Sequence, residues 1–168
     1  MNKTHKRILI SACLLGEYVR YDGKTLSVSN QKLKDWLQKG WVASVCPEVN
    51  AGMTIPRVPA EILHGSGNDV LLGTAKVITK AGDDVTDFFV KGAFIALDIC
   101  IKHDIKVAVL SESSPSCGSS IIYDGSFTST KNTGLGVTTA LLRHNGITVY
   151  NQYDLSQALE EVEKGAPL

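Results

Sequence analysis

The stretch Arg7-Ile8-Leu9-Ile10-Ser11-Ala12-Cys13 is a short apolar run that ends at a cysteine. Three later runs have the same apolar character: Trp41-Val42-Ala43-Ser44-Val45, Lys106-Val107-Ala108-Val109-Leu110 and Ile147-Thr148-Val149-Tyr150. Short apolar runs rich in β-branched residues predict buried β-strands. We therefore expect four strands that are buried between other elements.

Amphipathic helices are predicted between these strands. Apolar residues recur at helical spacing over residues 27–39, 85–100 and 134–145, and a last short helix starts at Asp154. Strands that alternate with helices are typical of a parallel sheet covered on both faces. The sequence therefore predicts an α/β fold, a single-domain Rossmann-like sandwich over residues 1–168 with a mostly parallel sheet.

Two segments fall outside this alternation. Residues 48–67 are rich in Gly, Pro and polar residues, which indicates a long loop. Loops of this length in compact domains are usually functional or mobile. Residues 70–79 alternate in polarity, which predicts a β-hairpin that turns near Gly73.

Composition narrows the classes of function. The 168 residues carry 17 Lys and Arg against 17 Asp and Glu, so the chain lacks the basic excess of proteins that bind nucleic acid or anionic membranes. The apolar run after the basic N-terminus is only Ile8-Leu9-Ile10, too short for a signal peptide or a membrane span. Four cysteines are too few for a disulfide scaffold. We expect a cytoplasmic protein that binds neither nucleic acid nor membrane, and a small neutral molecule is compatible with it as a ligand.

Three of the four cysteines follow predicted strands. Cys13 and Cys46 come directly after the first two strands, and Cys117 lies in the loop after the third. Because ligands of open α/β sheets bind at the carboxyl ends of the strands, we expect these thiols to converge. A structural zinc site has four ligands, usually in Cys-x-x-Cys pairs that this chain lacks, whereas three thiolates suit an iron–sulfur cluster with one open iron. Burial in the core is the alternative for all three, and it is the interpretation that we prefer for Cys100.

Five short motifs occur in a fixed order along the chain: Ser11-Ala12-Cys13-Leu14-Leu15-Gly16, Arg20-Tyr21-Asp22-Gly23, Cys46-Pro47-Glu48, Pro56-Arg57-Val58-Pro59-Ala60-Glu61 and Ser114-Pro115-Ser116-Cys117-Gly118. Together they resemble the thiouracil desulfurase family, from Ile8 to Gly146. The resemblance implies a Rossmann-like desulfidase with an oxygen-sensitive 4Fe–4S cluster that is easily lost in air. It also implies a small thiolated substrate, since members of that family convert 2-thiouracil to uracil and sulfide.

The resemblance further implies roles for individual residues. Cys13, Cys46 and Cys117 match the family's cluster ligands, Glu48 its catalytic acidic residue and Ser114 its active-site serine. In the implied mechanism the thiocarbonyl sulfur binds the open iron, and water activated by Glu48 attacks C2 of the ring. This hydrolysis is redox-neutral and needs neither nicotinamide nor flavin. The alternatives are a solvated loop carboxylate for Glu48 and ordinary turn chemistry for Ser114.

The sequence departs from the family pattern in two places. Ala51-Gly52-Met53-Thr54-Ile55-Pro56-Arg57 stands where members commonly have Gly-Gly-Leu-Pro-Thr-Pro-Arg, so we expect a different pocket wall and a different substrate preference. Ser111-Glu112-Ser113 replaces a stretch that often contains basic residues, so we also expect a different local charge.

Two further features have both a structural and a functional interpretation. Tyr21-Asp22-Gly23 recurs as Tyr123-Asp124-Gly125, and because Asp-Gly is a strong turn signal we favour two ordinary turns over a shared site. Arg57 and Glu61 either bind polar atoms of the substrate or form an ion pair that fixes the loop.

Two other classes of function are compatible with these residues. One is a non-catalytic module whose cysteines bind zinc or a cluster, and the other is a thiolate enzyme in which a cysteine carries a persulfide. Metal content separates the classes. Several irons per chain support the cluster, and one zinc per chain in a colourless protein contradicts it.

Overall fold

Eight strands and six α-helices make up the described part of the chain, residues 6–165 of a computed structural model. The predicted domain also includes residues 1–5 and 166–168, which lie outside the described residues. None of the helices in the described part is both long enough and apolar enough to cross a membrane. Two 3₁₀ turns cover Ala12–Leu15 and Gln152–Asp154. In chain order the elements are β1 (Ile8–Ser11), α1 (Gln31–Gln38), β2 (Val42–Val45), α2 (Pro47–Asn50), β3 (Ala60–Leu63), α3 (Gly67–Leu71), β4 (Lys76–Thr79), α4 (Thr86–Lys102), β5 (Val107–Val109), β6 (Ile121–Tyr123), β7 (Lys131–Thr133), α5 (Val137–His144), β8 (Thr148–Tyr150) and α6 (Leu155–Lys164).

Four of the strands form one parallel sheet in the order β2-β1-β5-β8. Leu9 of the inner strand β1 lies opposite Ala43 of β2 on one side and Ala108 of β5 on the other. These are the four strands that the apolar runs predict. The predicted α/β fold with a mostly parallel central sheet is therefore confirmed.

Alternation along β1 gives the sheet two buried faces. Ile8 and Ile10 pack with residues of α1 and α6, whereas Leu9 between them packs with residues of α4 and α5. Each of the three side chains is 0 % exposed. Successive side chains of a strand point to opposite faces, so a segment buried on both faces, such as Ile8-Leu9-Ile10, is apolar at consecutive positions.

Two antiparallel pairs of strands, called hairpins below, lie outside this sheet, and the sequence predicted neither pair. β3 pairs with β4, and β6 pairs with β7. The predicted hairpin over residues 70–79 is wrong, because Val70 belongs to α3 and β4 pairs with β3 from within the predicted loop 48–67. The Asp69 carboxylate accepts a 2.8 Å hydrogen bond from the backbone N–H of Ser66 at the start of α3, which favours a helix there.

Candidate active site

A cavity of about 390 Å³ opens at the carboxyl ends of β1, β2 and β5. The chain leaves β1 for β2 on one side of the sheet and reaches β5 on the other, so these ends form a topological switch point, where open α/β sheets bind ligands. Cys13, Cys46 and Cys117 all line the cavity. Cys100 instead lies in α4 and is 1 % exposed, which confirms that it belongs to the core.

Each of these cysteines is held by the turn that follows its strand. Cys13 lies in the 3₁₀ turn after β1, where its carbonyl oxygen accepts a 2.7 Å hydrogen bond from the Thr25 hydroxyl. Cys46 lies between β2 and α2, and Pro47 occupies the first helical turn, where an N–H would have no helical partner. Cys117 lies in the loop after β5 and is 5 % exposed.

The three thiols are close enough to the Glu48 carboxylate for its charge to affect their ionisation. Burial raises the pKa of each thiol, to about 11 for Cys46 and well above the ordinary value for Cys117. The negative charge of Glu48 raises the pKa of all three thiols as well. A metal centre bound among them would favour the deprotonated thiolates, because a coordinating thiol loses its proton. The donor set therefore suits a cationic metal centre.

The three thiols are the groups at this cavity that would bind a metal centre. A zinc ion holds its thiolates at about 2.3 Å, which brings the sulfur atoms within about 4 Å of one another. No group of three or more His, Cys, Asp and Glu side chains in residues 6–165 is arranged to hold a single metal ion. An iron–sulfur cluster distributes its cysteine ligands over several irons. Three thiols that line one cavity are soft ligands of the kind that bind iron–sulfur clusters.

Glu48 has one oxygen that is held and one that is free. Its Oε2 accepts a 2.7 Å hydrogen bond from Arg57 Nη2, and Arg57 Nη1 donates to the carbonyl oxygens of Val19 at 3.0 Å and Thr54 at 3.3 Å. Glu48 Oε1 is buried without a hydrogen-bond partner, the one side-chain nitrogen or oxygen of the described residues in that state. Leaving a buried acceptor unpaired is costly, so an atom of this kind in a cavity wall is suited to a ligand or a water molecule.

Glu61, the second acidic residue of the predicted loop, fixes a different part of the cavity wall. Its carboxylate is buried and accepts hydrogen bonds from the backbone N–H groups of Gly125 at 3.0 Å and Phe127 at 3.2 Å. Of the two alternatives for Arg57 and Glu61, the ion pair between them does not form, since Arg57 pairs with Glu48 at 2.7 Å. Glu61 ties β3 to the loop between β6 and β7.

Ser114 is fixed by the loop to which it belongs. Its Oγ accepts hydrogen bonds from the backbone N–H groups of Ser116 at 3.0 Å and Cys117 at 3.1 Å. This is turn chemistry of the kind that serine hydroxyls commonly provide. It leaves the hydroxyl proton available for donation at the cavity that Ser114 lines.

Glu112 organises the loop that carries Ser114 and Cys117, a role that the sequence did not reveal. Its carboxylate accepts hydrogen bonds from the Ser119 N–H and hydroxyl at 2.8 and 2.7 Å, and from the Asn151 side chain at 2.8 Å. Although burial raises the pKa of Glu112, the hydrogen bonds from serine hydroxyls and backbone N–H groups lower it to about 2. An acidic residue in a loop of Ser and Gly was the available signal, because such loops form anion-binding turns. The further donors are the N–H of Ser113, the N–H and hydroxyl of Ser120 and the N–H of Ile121.

Two glycines allow helices to approach the segments that carry the site residues. A Cβ atom on Gly92 of α4 would lie 2.4 Å from the carbonyl oxygen of Pro47. A Cβ atom on Gly136, just before α5, would lie 2.3 Å from the carbonyl carbon of Ser116. Interiors are close-packed, so neither position accepts a side chain without displacement of the backbone that it contacts.

Both Tyr-Asp-Gly turns border the cavity. Tyr21 and Tyr123 line it together with the cysteines. Both segments form turns, as predicted, and the preference for ordinary turns did not anticipate that they share one site.

Comparisons with known proteins show the family of the chain. A family model described as 2-thiouracil desulfurase matches residues 8–154, which confirms the resemblance of the five motifs. The uncharacterized protein YbbK of Bacillus subtilis (strain 168) is 41% identical over 152 residues, 90% of this chain and 99% of that protein. The solved structure of the [4Fe-4S]-dependent thiouracil desulfidase TudS is similar with a TM-score of 0.85 and 39% identity, over 94% of this chain and 98% of that chain.

Proposed function

The chain belongs to the 2-thiouracil desulfurase family, and we propose that it is an iron–sulfur-dependent desulfidase that converts a thiolated nucleobase such as 2-thiouracil to uracil and sulfide. One observation carries the proposal: Cys13, Cys46 and Cys117 line the same cavity as Glu48, whose buried Oε1 has no partner. The similarity to TudS, a [4Fe-4S]-dependent thiouracil desulfidase, supports it.

Cys13, Cys46 and Cys117 are the residues that would hold a [4Fe–4S] cluster. They fit such a group because they are three soft ligands that line one cavity. When bound through three cysteines, the cluster supplies an open iron that is a Lewis acid toward a thiocarbonyl sulfur. The other tasks of the reaction fall to side chains of this chain.

In the proposed reaction Glu48 acts as the general base. Arg57 holds Oε2, so Oε1 remains free to accept a proton from a water molecule in the cavity. As the proton moves to Oε1, the water oxygen forms a bond with C2 of the ring, and the bond from C2 to sulfur then breaks. The overall change is C=S plus H₂O to C=O plus H₂S, so no electrons are gained or lost.

In the proposed reaction Ser114 orients the substrate. Its oxygen already accepts two backbone hydrogen bonds, so the hydroxyl acts toward the cavity as a donor. A ring nitrogen or oxygen of the substrate is a suitable acceptor. Such a contact holds the ring in one orientation while water attacks, and orientation is a large contribution to catalysis.

The thiols are less suited to carrying a persulfide. Reactive cysteines have a lowered pKa and are accessible to solvent. Here burial raises the pKa of all three thiols, and Cys117 is almost fully buried. The same features are compatible with ligands that lose their protons to a metal.

Anaerobic reconstitution with iron and sulfide tests the proposal. We expect several irons per chain and equal amounts of uracil and sulfide from 2-thiouracil. Glu48→Gln is expected to lower the rate by about 100-fold or more at unchanged iron content, since it removes the general base. Glu17→Gln, at an exposed residue outside the cavity, is the matched control and is expected to behave as wild type. One zinc per chain, or an iron-loaded protein that releases no sulfide, contradicts the proposal.

A further inference from the structure

The two Tyr-Asp-Gly turns are built alike. In each turn the aspartate side chain accepts a hydrogen bond from the backbone N–H two residues later, at 3.0 Å in the first turn and 2.9 Å in the second. The glycine that follows has a positive φ in both, 74° in the first and 93° in the second. The same local device thus occurs twice, once after β1 and once after β6.

Each tyrosine ring lies against a cation. The Arg20 guanidinium carbon is 5.8 Å from the centre of the Tyr21 ring, and Lys131 Nζ is 5.3 Å from the centre of the Tyr123 ring. Contacts of this kind favour a defined orientation of the ring. Since both tyrosines line the cavity, both are available to a molecule bound there.

Both turns are anchored to groups of the cavity wall. The backbone N–H of Arg57 donates a 2.8 Å hydrogen bond to the carbonyl oxygen of Tyr21, and the same arginine holds Glu48. In the second turn, Gly125 donates its N–H to the buried Glu61 carboxylate. The backbone of both segments is therefore tied to polar residues of the cavity wall.

A heteroaromatic ring presents two kinds of surface to such a cavity. Its edge carries the sulfur, nitrogen and oxygen atoms, and polar side chains such as Glu48 and Ser114 are suited to contact such atoms. Its two faces are apolar π surfaces that carboxylates and hydroxyls do not satisfy. Aromatic side chains bind such faces by stacking.

We propose that Tyr21 and Tyr123 bind the faces of the substrate ring by aromatic stacking, and so select planar, unsaturated thiocarbonyl rings over saturated ones. The inference rests on the proposed function, because it takes a thiolated ring as the substrate. It adds the two residues that determine which rings are accepted.

Steady-state kinetics of the iron-loaded protein test this selection with 2-thiouracil and with 5,6-dihydro-2-thiouracil, whose ring is saturated and puckered. Tyr21→Leu and Tyr123→Leu are each expected to raise the KM for 2-thiouracil about tenfold, or about 1.4 kcal/mol, while kcat changes by less than about threefold. The ratio of kcat/KM for 2-thiouracil to kcat/KM for the saturated ring is expected to be lower in both leucine variants than in the wild type, by a similar factor. Tyr21→Phe and Tyr123→Phe keep the aromatic ring. Both variants are expected to have the KM for 2-thiouracil and the preference for the planar ring of the wild type.

Tyr18→Leu is the matched control, because Tyr18 lies in the same loop as Tyr21 but is 70 % exposed and outside the cavity. An unchanged KM for 2-thiouracil and an unchanged preference for the planar ring in both leucine variants would overturn the inference. An increase of KM in the phenylalanine variants as large as in the leucine variants would also overturn it. If the wild type releases no sulfide, the proposed function fails. Equilibrium dialysis with uracil then still tests stacking, and about tenfold weaker binding to the leucine variants is expected.

Discussion

Replacement of Gly92 by alanine is expected to impair the reaction far more than it destabilises the protein. Gly92 lies in α4 directly against α2, and an added Cβ would lie 2.4 Å from the Pro47 oxygen and 2.7 Å from its carbonyl carbon. Both are backbone atoms, so a change of side-chain rotamer cannot relieve the contact. The segment that carries Cys46 and Glu48 must therefore move away from α4.

The size of the displacement follows from the contact distance. Ordinary van der Waals contact begins at 3.4 Å, so the Pro47 oxygen at 2.4 Å must move by about 1 Å. Overpacking of this kind costs about 1–3 kcal/mol, and the better helix propensity of alanine offsets about 1 kcal/mol of it. A net loss of about 1 kcal/mol lowers Tm by about 2–4 °C in a chain of this size. A misplacement of about 1 Å in a catalytic group costs about 100-fold in rate.

Two measurements on the same sample separate these effects. Thermal unfolding reports the stability, and anaerobic sulfide release per iron-loaded chain reports the rate. Lys91→Ala is the matched control, because Lys91 is the preceding residue of α4 and its side chain is exposed. A Gly92→Ala protein with a raised Tm and an unchanged rate would refute the reasoning, since it would show that helix propensity outweighs the contact.

Two other side chains give predictions of different kinds. Glu112 has its pKa lowered from 4.5 to about 2 in the folded protein, so its contribution to stability is present above about pH 4.5 and is lost as the pH falls toward 2. Unfolding curves between pH 2 and 6 are therefore expected to show wild type losing stability relative to Glu112→Gln over that window, and parallel pH dependences would contradict this. Arg57→Lys cannot reproduce the bonds of the guanidinium to Glu48, Val19 and Thr54, so sulfide release is expected to fall about tenfold or more at unchanged iron content. A rate equal to that of wild type would show that the charge of residue 57 suffices.

The parallel sheet could be predicted because burial on both faces makes the inner strands apolar at consecutive positions, as in Ile8-Leu9-Ile10 and Val107–Val109. The hairpins could not be predicted by the same reasoning. All three residues of β7, Lys131–Thr133, are exposed, so the strand has no apolar pattern. β3 and β4 are separated in the chain by α3, and their pairing depends on tertiary contacts rather than on a turn signal.

The candidate site was predictable where it depends on topology and unpredictable where it depends on loop conformation. The ends of parallel strands share one edge, so cysteines after β1, β2 and β5 reach one cavity. The partners of the acidic side chains follow no such rule. Glu112 accepts a hydrogen bond from Asn151, which is 39 residues away in the sequence. Arg57 pairs with Glu48, although Glu61 is closer to it in the sequence.

The cavity is formed by two parts of the molecule, the central parallel sheet and the two hairpins outside it. The three thiols follow strands of the central sheet, whereas Tyr123, Phe127 and Glu61 come from the two hairpins. The hairpins form sheets of their own, separate from the four-stranded sheet. A change in the length or sequence of residues 124–130 therefore reshapes this wall of the cavity while the strands that precede the thiols stay in register. Loop grafting at this hairpin is expected to broaden or narrow the range of accepted molecules in a protein whose three thiols still follow the same strands.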